Sequence, residues 1–345
     1  VFPSKNSLLF VTTQVDNFLF TGSQSEMKLF TEYMNAQFQL SELEYDNFYV
    51  YGTRFSRNKD GIRMSQRDKI LELQHFPLSA ERRRMHEEHV TGAERLFYMS
   101  SVGSILFVGH VTSPIAARMA GILASALPNL SVKDIKIMNA VIRKLHSGLP
   151  AIAELFFRAT NESKEVPIWL TFSDASFSEE YTKNRAGVLV TRSFGLGENS
   201  PMHVIDFCSH KLRRVARSTK TAETLAASEG YDRAFYCHSV AVWMSSKLFS
   251  GMLLVLDNSS LYMDISTSRT PKEKRLKVDL ALLREAFDNG DLCGVIWAAT
   301  IHQLADAMTK TDENSDTRLM LALSDGCLRH SYENCPYKIS PQFSS

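Results

Sequence analysis

The chain has 345 residues, of which 44% are hydrophobic and 22% are charged, and its formal net charge is +1. This composition is typical of globular proteins and excludes the disordered and fibrous classes. A nearly neutral chain also lacks the global basic field of many nucleic-acid binders, so any nucleic-acid binding must use local basic patches.

The N-terminal part predicts a small α+β unit. Residues 7–22 contain two short apolar runs around a polar turn, which is typical of a β-hairpin. Apolar side chains then recur at helical spacing over residues 24–40. A strand is predicted at 48–55, and Asp60-Gly61 predicts a tight turn before the next strand.

The middle of the chain, residues 79–148, predicts helices. Ser131 and Asp134 are placed to cap one of them, over residues 135–146. The most apolar stretch, 102–127, is interrupted by a histidine, a proline and an arginine, whereas a membrane span needs about 20 mostly apolar residues. We therefore expect a buried core segment and no membrane partner.

The second half predicts a mixed sheet with helices on its faces, because three hairpin-connected strands precede strands that alternate with helices. The predicted strands are 166–173, 185–192, 202–209, 251–256 and 292–298, and the predicted helices are 219–249, 279–289 and 300–310. Residues 159–165 predict a linker or turn before this unit, and the chain after residue 311 is polar and loop-like in composition.

Four acidic residues occupy related places in this outline. Asp174 ends the first strand of the sheet and Asp257 ends the buried central strand, while Glu223 and Asp306 lie on the long helix and the last helix. Clustered carboxylates repel one another unless cations compensate them, and oxygen ligands favour magnesium or manganese. Two such ions about 4 Å apart can activate a water and stabilise the leaving oxygen in phosphodiester cleavage.

Each acid taken alone has a simpler interpretation. An Asp after a strand is often a turn former or a helix cap, and residues 257–260 (DNSS) are a good cap sequence. Glu223 could be an exposed helical residue, and Asp306 could pair with Lys310 four residues later. The ordered set of four is what predicts a site.

At these residues the sequence resembles the polymerase polyproteins of copia-type LTR retrotransposons. Residues 303–310 (QLADAMTK) resemble the end of that family's ribonuclease H domain, and the segments around Asp174, Glu223 and Asp257 resemble three further motifs in the same order. The resemblance implies a ribonuclease H-type endonuclease that cleaves the RNA strand of RNA/DNA hybrids. The resemblance also implies that the catalytic residues, which would bind two Mg²⁺ or Mn²⁺ ions, are Asp174, Glu223, Asp257 and Asp306.

Upstream, residues 14–22 (QVDNFLFTG) resemble the catalytic hairpin of a reverse transcriptase palm. Asn17 stands where the family has a second metal-binding Asp after Asp16, and Ser113 stands where it has Arg. The strand with the palm's first Asp would precede Val1. We therefore expect a degenerate polymerase site at Asp16 and Asn17, no reverse transcription by this chain alone, and a missing upstream segment or a homo-oligomer as possible partners.

Length alone predicts about two or three domains, and the resemblance implies an α+β chain in four parts. These are a partial reverse transcriptase palm at 1–78, a helical thumb or connection region at 79–158, a mixed-sheet ribonuclease H-like α/β domain at 159–311 and a polar C-terminal tail at 312–345. The alternative function is a non-catalytic nucleic-acid-binding or assembly module derived from a degenerate retroelement.

Basic and polar side chains near the predicted site are candidate contacts to nucleic acid. Those between the third strand and the long helix are Lys211, Arg213, Arg214 and Arg217, which could hold phosphates. Asn258 and Ser259 are candidate donors to RNA 2′-hydroxyls. A second basic cluster at 272–277 could also contact phosphates, or it could be a solvated loop.

The five cysteines are an odd number without CxxC spacing. This argues against a zinc site or a disulfide framework and predicts a reducing location, cytoplasmic or nuclear. His210, which lies beside the predicted site, is expected to be structural.

Overall fold

The computed structural model describes residues 9–14, 17–38, 40–160, 167–177, 184–244, 250–267, 276–340 and 342. Strands β1 (Leu9–Gln14) and β2 (Asn17–Gly22) form an antiparallel hairpin, and α1 (Gln24–Gln37) follows. The side chain of Ser23 caps α1 by accepting a hydrogen bond from the N–H of Glu26. The predicted hairpin and helix are confirmed, and the two residues of the turn lie outside the described residues.

A four-stranded antiparallel sheet follows, with the strand order β3-β4-β5-β6. Its strands are β3 (Asn47–Val50), β4 (Thr53–Asn58), β5 (Gly61–Ser65) and β6 (Glu154–Arg158), and the short helix α2 (Arg67–Leu71) comes after β5. The single strand predicted at 48–55 was wrong. Tyr51 and Gly52 both have positive φ, +54° and +71°, which makes a two-residue hairpin turn and splits the run.

Three longer helices lie between α2 and β6: α3 (Gly92–Val111), α4 (Pro114–Ser125) and α5 (Val132–Ser147). Asp134 accepts hydrogen bonds from the backbone N–H and the hydroxyl of Ser131, so the predicted capping of α5 is confirmed, although the helix begins at Val132 and not at residue 135. Most of α4 is buried, as expected of a core segment. Within the described part of the chain, no helix combines the length and apolar character needed to cross a membrane.

The largest sheet has six strands in the order β12-β11-β10-β7-β8-β9. The strands are β7 (Ile168–Ser176), β8 (Arg185–Ser193), β9 (Met202–Lys211), β10 (Ser250–Leu256), β11 (Leu292–Trp297) and β12 (Tyr337–Ile339). The helices of this half are α6 (Thr219–Met244), α7 (Ser259–Ile265), α8 (Lys277–Asn289) and α9 (Glu313–Asp325). Strands β7, β8 and β9 are antiparallel, whereas β10 runs parallel to β7 and β11 parallel to β10. The predicted α+β fold class with a mixed sheet is confirmed.

The two faces of this sheet bury different helices. On one face, Trp169 and Leu254 pack in a core with α6, α7 and α8. On the other face, Leu170 and Val255 belong to a continuous core that extends to α3, α4, α5 and α9. Successive strand residues point to opposite faces, which explains this division. The boundaries of the four predicted parts stay a prediction.

Two expectations near the C-terminus were wrong. The helix predicted at 300–310 is instead two 3₁₀ helices, Thr300–His302 and Leu304–Met308, separated by Gln303 in an extended conformation. The chain after 311 is not all loop-like, because α9 begins at the cap Asp312 and β12 adds an edge strand to the sheet. The polar composition misled the prediction, since α9 buries only one stripe of side chains, centred on Leu319 and Leu323.

Candidate metal centre

The centre lies at the carboxyl ends of two neighbouring parallel strands. Phe172 in β7 is paired with Val255 in β10, so Asp174 and Asp257, each two residues further along, emerge at the same level. Open sheets bind ligands at this edge because the backbone there leaves a crevice between diverging loops. Asp257 directly follows β10, as predicted, whereas Asp174 lies within β7, two residues before its end at Ser176.

Glu223 reaches the same point from α6. Its side chain is buried, with the residue only 4% exposed, and its carboxylate accepts a hydrogen bond from the backbone N–H of Ala175. Carboxylate oxygens of Asp174, Glu223 and Asp257 all lie within 4.8 Å of one another. Three of the four acids singled out from the sequence thus meet in one cluster.

Asp306 joins this cluster through a lysine. It lies in the 3₁₀ helix Leu304–Met308 and is 2% exposed. The ammonium of Lys310 is 2.7 Å from Oδ1 of Asp306 and 3.5 Å from Oδ1 of Asp174. The i,i+4 pair that was the simpler interpretation of Asp306 is present, and it lies against the acidic cluster.

Neighbouring side chains hold the carboxylates in place. The hydroxyl of Thr309 donates to Oδ2 of Asp174, and the hydroxyl of Thr300 donates to Oδ2 of Asp257 over 3.0 Å. The amide of Gln303 donates to the backbone carbonyls of Ser173 and Val255, at 3.1 and 3.2 Å. Gln303 therefore ties the two 3₁₀ helices to the strands whose ends carry the acids.

The donor set fits a hard divalent cation. Oδ1 of Asp174 is buried and accepts no close hydrogen bond from the described residues; the Lys310 ammonium is 3.5 Å away. The three clustered side chains offer only carboxylate oxygens, which magnesium and manganese prefer. A metal ion would give this oxygen a closer partner and neutralise the mutual repulsion of the carboxylates.

The pKa values of three of the acids are raised because burial and mutual repulsion disfavour their charged forms. Burial, and then the charges of Asp174 and Asp257, raise the pKa of Glu223 to about 10. Burial and the charge of Asp174 raise the pKa of Asp306 to about 7. Burial also raises the pKa of Asp174, an effect that Lys310 opposes. Without a metal ion, part of the cluster is therefore protonated at neutral pH.

Glu223→Gln is expected to stabilise the metal-free protein. The folded pKa of Glu223, about 10, lies above its ordinary value of 4.5, so the stability that protonation provides is lost as pH rises between the two values. Urea unfolding in a chelator should show the variant more stable than the parent by about 2 kcal/mol at pH 8, and by less at pH 5. A difference independent of pH would contradict this origin.

The predicted nucleic-acid contacts have different surroundings. Lys211, Arg213 and Arg217 are exposed, whereas the guanidinium of Arg214 binds both oxygens of Asp279 at 2.7 and 2.8 Å. Oδ1 of Asn258 caps α7 by accepting from the N–H of Leu261, so the predicted cap sequence is used as a cap as well. Ser259 is exposed at the start of that helix.

Two other predicted features lie partly outside the described residues. Asp16 is not among them, while Asn17 is exposed at the start of β2 and its carbonyl accepts a hydrogen bond from the Tyr51 hydroxyl. Of the second basic cluster, residues 272–275 are not described. The degenerate polymerase site stays a prediction.

Sequence reasoning missed Arg118, which it noted only as an interruption of an apolar run. Arg118 lies in α4, is 1% exposed, and binds Asp316 of α9 through two contacts of 2.8 and 3.0 Å. It also donates to the carbonyls of Ala307, at 2.8 Å, and Lys310. It therefore holds the backbone of the segment that carries the Asp306–Lys310 pair, at residues 307 and 310. The signal was a lone arginine in an apolar helix, but its partners lie almost 200 residues away.

No protein-family model and no curated protein matches the chain. Similar solved structures include the N-terminal RNase H domain of a Mycobacterium tuberculosis protein, solved as a fusion with maltose-binding protein. The identity is 13%, the TM-score is 0.31, and the match covers 46% of this chain and 96% of that one. LC9-RNase H1, a type 1 RNase H with the type 2 active-site motif, is 14% identical with a TM-score of 0.26, over 49% of this chain and 80% of that one. At these scores the assignment of the site depends on its own geometry, and the retrotransposon resemblance stays a prediction.

Proposed function

We propose that this protein is a metal-dependent ribonuclease H-type endonuclease that cleaves the RNA strand of RNA/DNA hybrids. The observation that carries the proposal is the convergence of Asp174, Glu223 and Asp257 within 4.8 Å at the carboxyl edge of a mixed sheet. Such buried, mutually repelling carboxylates are costly unless they hold cations for chemistry.

Asp174, Glu223 and Asp257 would hold a magnesium or manganese ion, and Asp306 with Asp174 a second one. When bound, such ions supply an activated water and stabilise the leaving oxygen of a phosphodiester. Thr309 and Thr300 orient the carboxylates of Asp174 and Asp257 by hydrogen bonds. Because the Lys310 ammonium contacts both Asp174 and Asp306, a second ion there would have to displace it.

The substrate class follows from the surface around the cluster. The basic segment 211–217 precedes α6, the helix that carries Glu223, and its exposed residues that Asp279 does not engage, Lys211, Arg213 and Arg217, suit phosphates of a bound duplex. Ser259 is exposed two residues after Asp257, where it could contact a 2′-hydroxyl in the shallow minor groove of a hybrid. These contacts would favour a duplex that contains RNA over duplex DNA.

The test is cleavage of a labelled RNA strand, annealed to DNA, in magnesium or in excess chelator. We expect internal cuts in the RNA of the hybrid with magnesium only, and no cuts in the same sequence as duplex DNA. Double-stranded RNA serves as the second comparison. Metal-independent cleavage, or equal cleavage of all three duplexes, would contradict the proposal.

Arg213→Ala is expected to weaken hybrid binding and to reduce the dependence of affinity on salt. An exposed arginine that contacts one phosphate contributes about one unit to the slope of log K against log salt. The matched control is Arg214→Ala, because Arg214 is already engaged by Asp279. Fluorescence anisotropy of a labelled hybrid over a salt series measures both slopes, and equal losses in the two variants would argue against selective phosphate contact by Arg213.

The second candidate is a non-catalytic nucleic-acid-binding or assembly module. It is favoured by Lys310, whose ammonium lies against Asp174 and Asp306 and neutralises part of the cluster without any metal ion. This candidate shares the proposed origin from a retroelement with a degenerate polymerase site at Asp16 and Asn17. It predicts salt-dependent hybrid binding with no metal-dependent turnover in the same cleavage assay.

A further inference from the structure

A second group of metal-ligating side chains lies between the edge strand β9 and α6. Cys208 and His210 are two residues apart in β9, so both side chains point to the same face, and Glu229 faces them from α6. The Sγ atom of Cys208 is 3.4 Å from Oε1 of Glu229, and Nε2 of His210 is 3.0 Å from Oε2. One ligand atom from each of the three lies within 4.8 Å of the others.

The two separations of 3.4 and 3.0 Å, which involve the two different oxygens of Glu229, are of the size that separates ligands of one tetrahedral zinc ion. Zinc lies about 2.3 Å from sulfur and about 2.0–2.1 Å from nitrogen and oxygen, so ligand atoms around it are roughly 3.3–3.5 Å apart. A cysteine sulfur with an imidazole nitrogen selects zinc and related transition metals over magnesium. The donor types thus separate this group from the all-oxygen cluster of Asp174, Glu223 and Asp257.

The surrounding charges also suit a divalent ion. Arg233 donates to Oε1 of Glu229 at 3.1 Å and to Oδ2 of Asp206 at 2.7 Å. With Cys208 as a thiolate, Cys208, Glu229 and Asp206 carry three negative charges; Arg233 contacts two of these groups, and the charges of Arg185 and Arg213 also act on His210. A divalent cation would compensate the thiolate and Glu229, while Arg233 holds one oxygen of Glu229 so that the other faces His210.

We propose that Cys208, His210 and Glu229 form a zinc site that joins β9 to α6. Three protein ligands leave the fourth tetrahedral position for a water molecule. The site would fix two elements that bear on the candidate metal centre, since α6 carries Glu223 six residues before Glu229, and β9 ends at Lys211, where the basic segment begins. Binding at this site is independent of the proposed nuclease activity.

The test uses the full chain, freed of metal by a chelator and then titrated with Co²⁺ as a spectroscopic substitute for zinc. We expect a thiolate-to-cobalt charge-transfer band in the near ultraviolet, strong visible bands of tetrahedral cobalt, and loss of both on adding Zn²⁺. Cys208→Ser is expected to abolish the charge-transfer band and to weaken zinc binding by at least about 100-fold. Zinc at about 100 times its Kd should raise the Tm of the parent by about 5 °C, and that of the variant much less.

Two matched variants separate this site from others. Cys335→Ser removes a thiol that lies 3.7 Å from Nε2 of His330, and Asp257→Asn alters the carboxylate cluster; both should keep the cobalt spectrum. His210→Gln keeps the Cys208 thiol and should also weaken binding, which covers the case that Cys208→Ser does not fold. Absence of the band in the parent, its survival in both Cys208→Ser and His210→Gln, or its loss in Cys335→Ser would overturn the proposal.

Discussion

Asp257→Asn is expected to lower the rate of hybrid cleavage in magnesium by about 1000-fold or more, because several kcal/mol of transition-state stabilisation by a metal ion depend on its ligands. Asp257 is the most exposed member of the three-carboxylate cluster, which makes it accessible to a metal ion and to substrate. Asparagine can still accept the hydrogen bond from Thr300, so the local structure should persist. Single-turnover cleavage of a labelled hybrid measures the effect.

The matched control for this substitution is Asp288→Asn. Asp288 is exposed on α8, a helix that covers the sheet without contributing to the carboxylate cluster, so its cleavage rate should equal that of the parent. Titration with Mn²⁺, followed by its paramagnetic effect on water relaxation, should show weaker binding in Asp257→Asn only. Equal rates of cleavage by the parent and Asp257→Asn would contradict the nuclease proposal. If the hybrid were still bound, that result would favour the non-catalytic module.

Arg118→Met is expected to destabilise the protein by about 3–5 kcal/mol, the usual cost of removing one partner of a buried ion pair. The substitution leaves Asp316 buried with only Lys144, at 2.8 Å, as a cation, and it removes the donor to the carbonyls of Ala307 and Lys310. The remaining contact with Lys144 places the expected value at the lower end of that range. Urea unfolding of the metal-free protein measures it.

The control for Arg118 is Arg143→Met, an exposed position on α5 where a change within about 0.5 kcal/mol is expected. Adding Asp316→Leu to Arg118→Met should recover part of the lost stability, because a buried pair replaced by apolar side chains no longer leaves a charge unpaired. If Arg118→Met were as mild as Arg143→Met, the ion pair would not be what holds α4, α9 and the Asp306 segment together.

The free energy that the buried carboxylates cost the metal-free fold is offset in part by contacts such as those of Arg118. Three carboxylates share one buried point, and burial raises the pKa values of Asp174, Glu223 and Asp306. Such a cluster lowers the stability of the metal-free fold, so rigid supports are required elsewhere. Arg118 and Gln303 are two such supports, since both bind backbone carbonyls next to the acids.

The sequence by itself determined most strands of the sheet and the approximate positions of three site residues, Asp174, Glu223 and Asp257. Apolar runs bounded by turn residues predict strands, and an acid directly after such a run is expected at a strand end. This rule placed Asp257 correctly after β10 and placed Asp174 near the end of β7, which continues to Ser176. Glu223 was predicted in the first turns of a long helix, and it lies there in α6. The helix predicted to end at residue 289 ends there as α8, and Gly290 follows it with its backbone in the left-handed region at φ +85°. These are local rules, and they apply wherever the neighbouring residues decide the conformation.

The tertiary structure alone decided what local rules do not reach. Residues 300–310 have the residue pattern of one helix. The segment folds instead as two 3₁₀ helices, because the Gln303 side chain donates hydrogen bonds to backbone carbonyls of two strands. Cys208, His210 and Glu229 lack any metal-binding spacing, because their proximity comes from packing α6 on β9. Lys310 was predicted only as a partner of Asp306, and its contact with Asp174 depends on a segment more than 130 residues away. These contacts depend on packing between segments that are distant in the sequence, so residue spacing does not predict them.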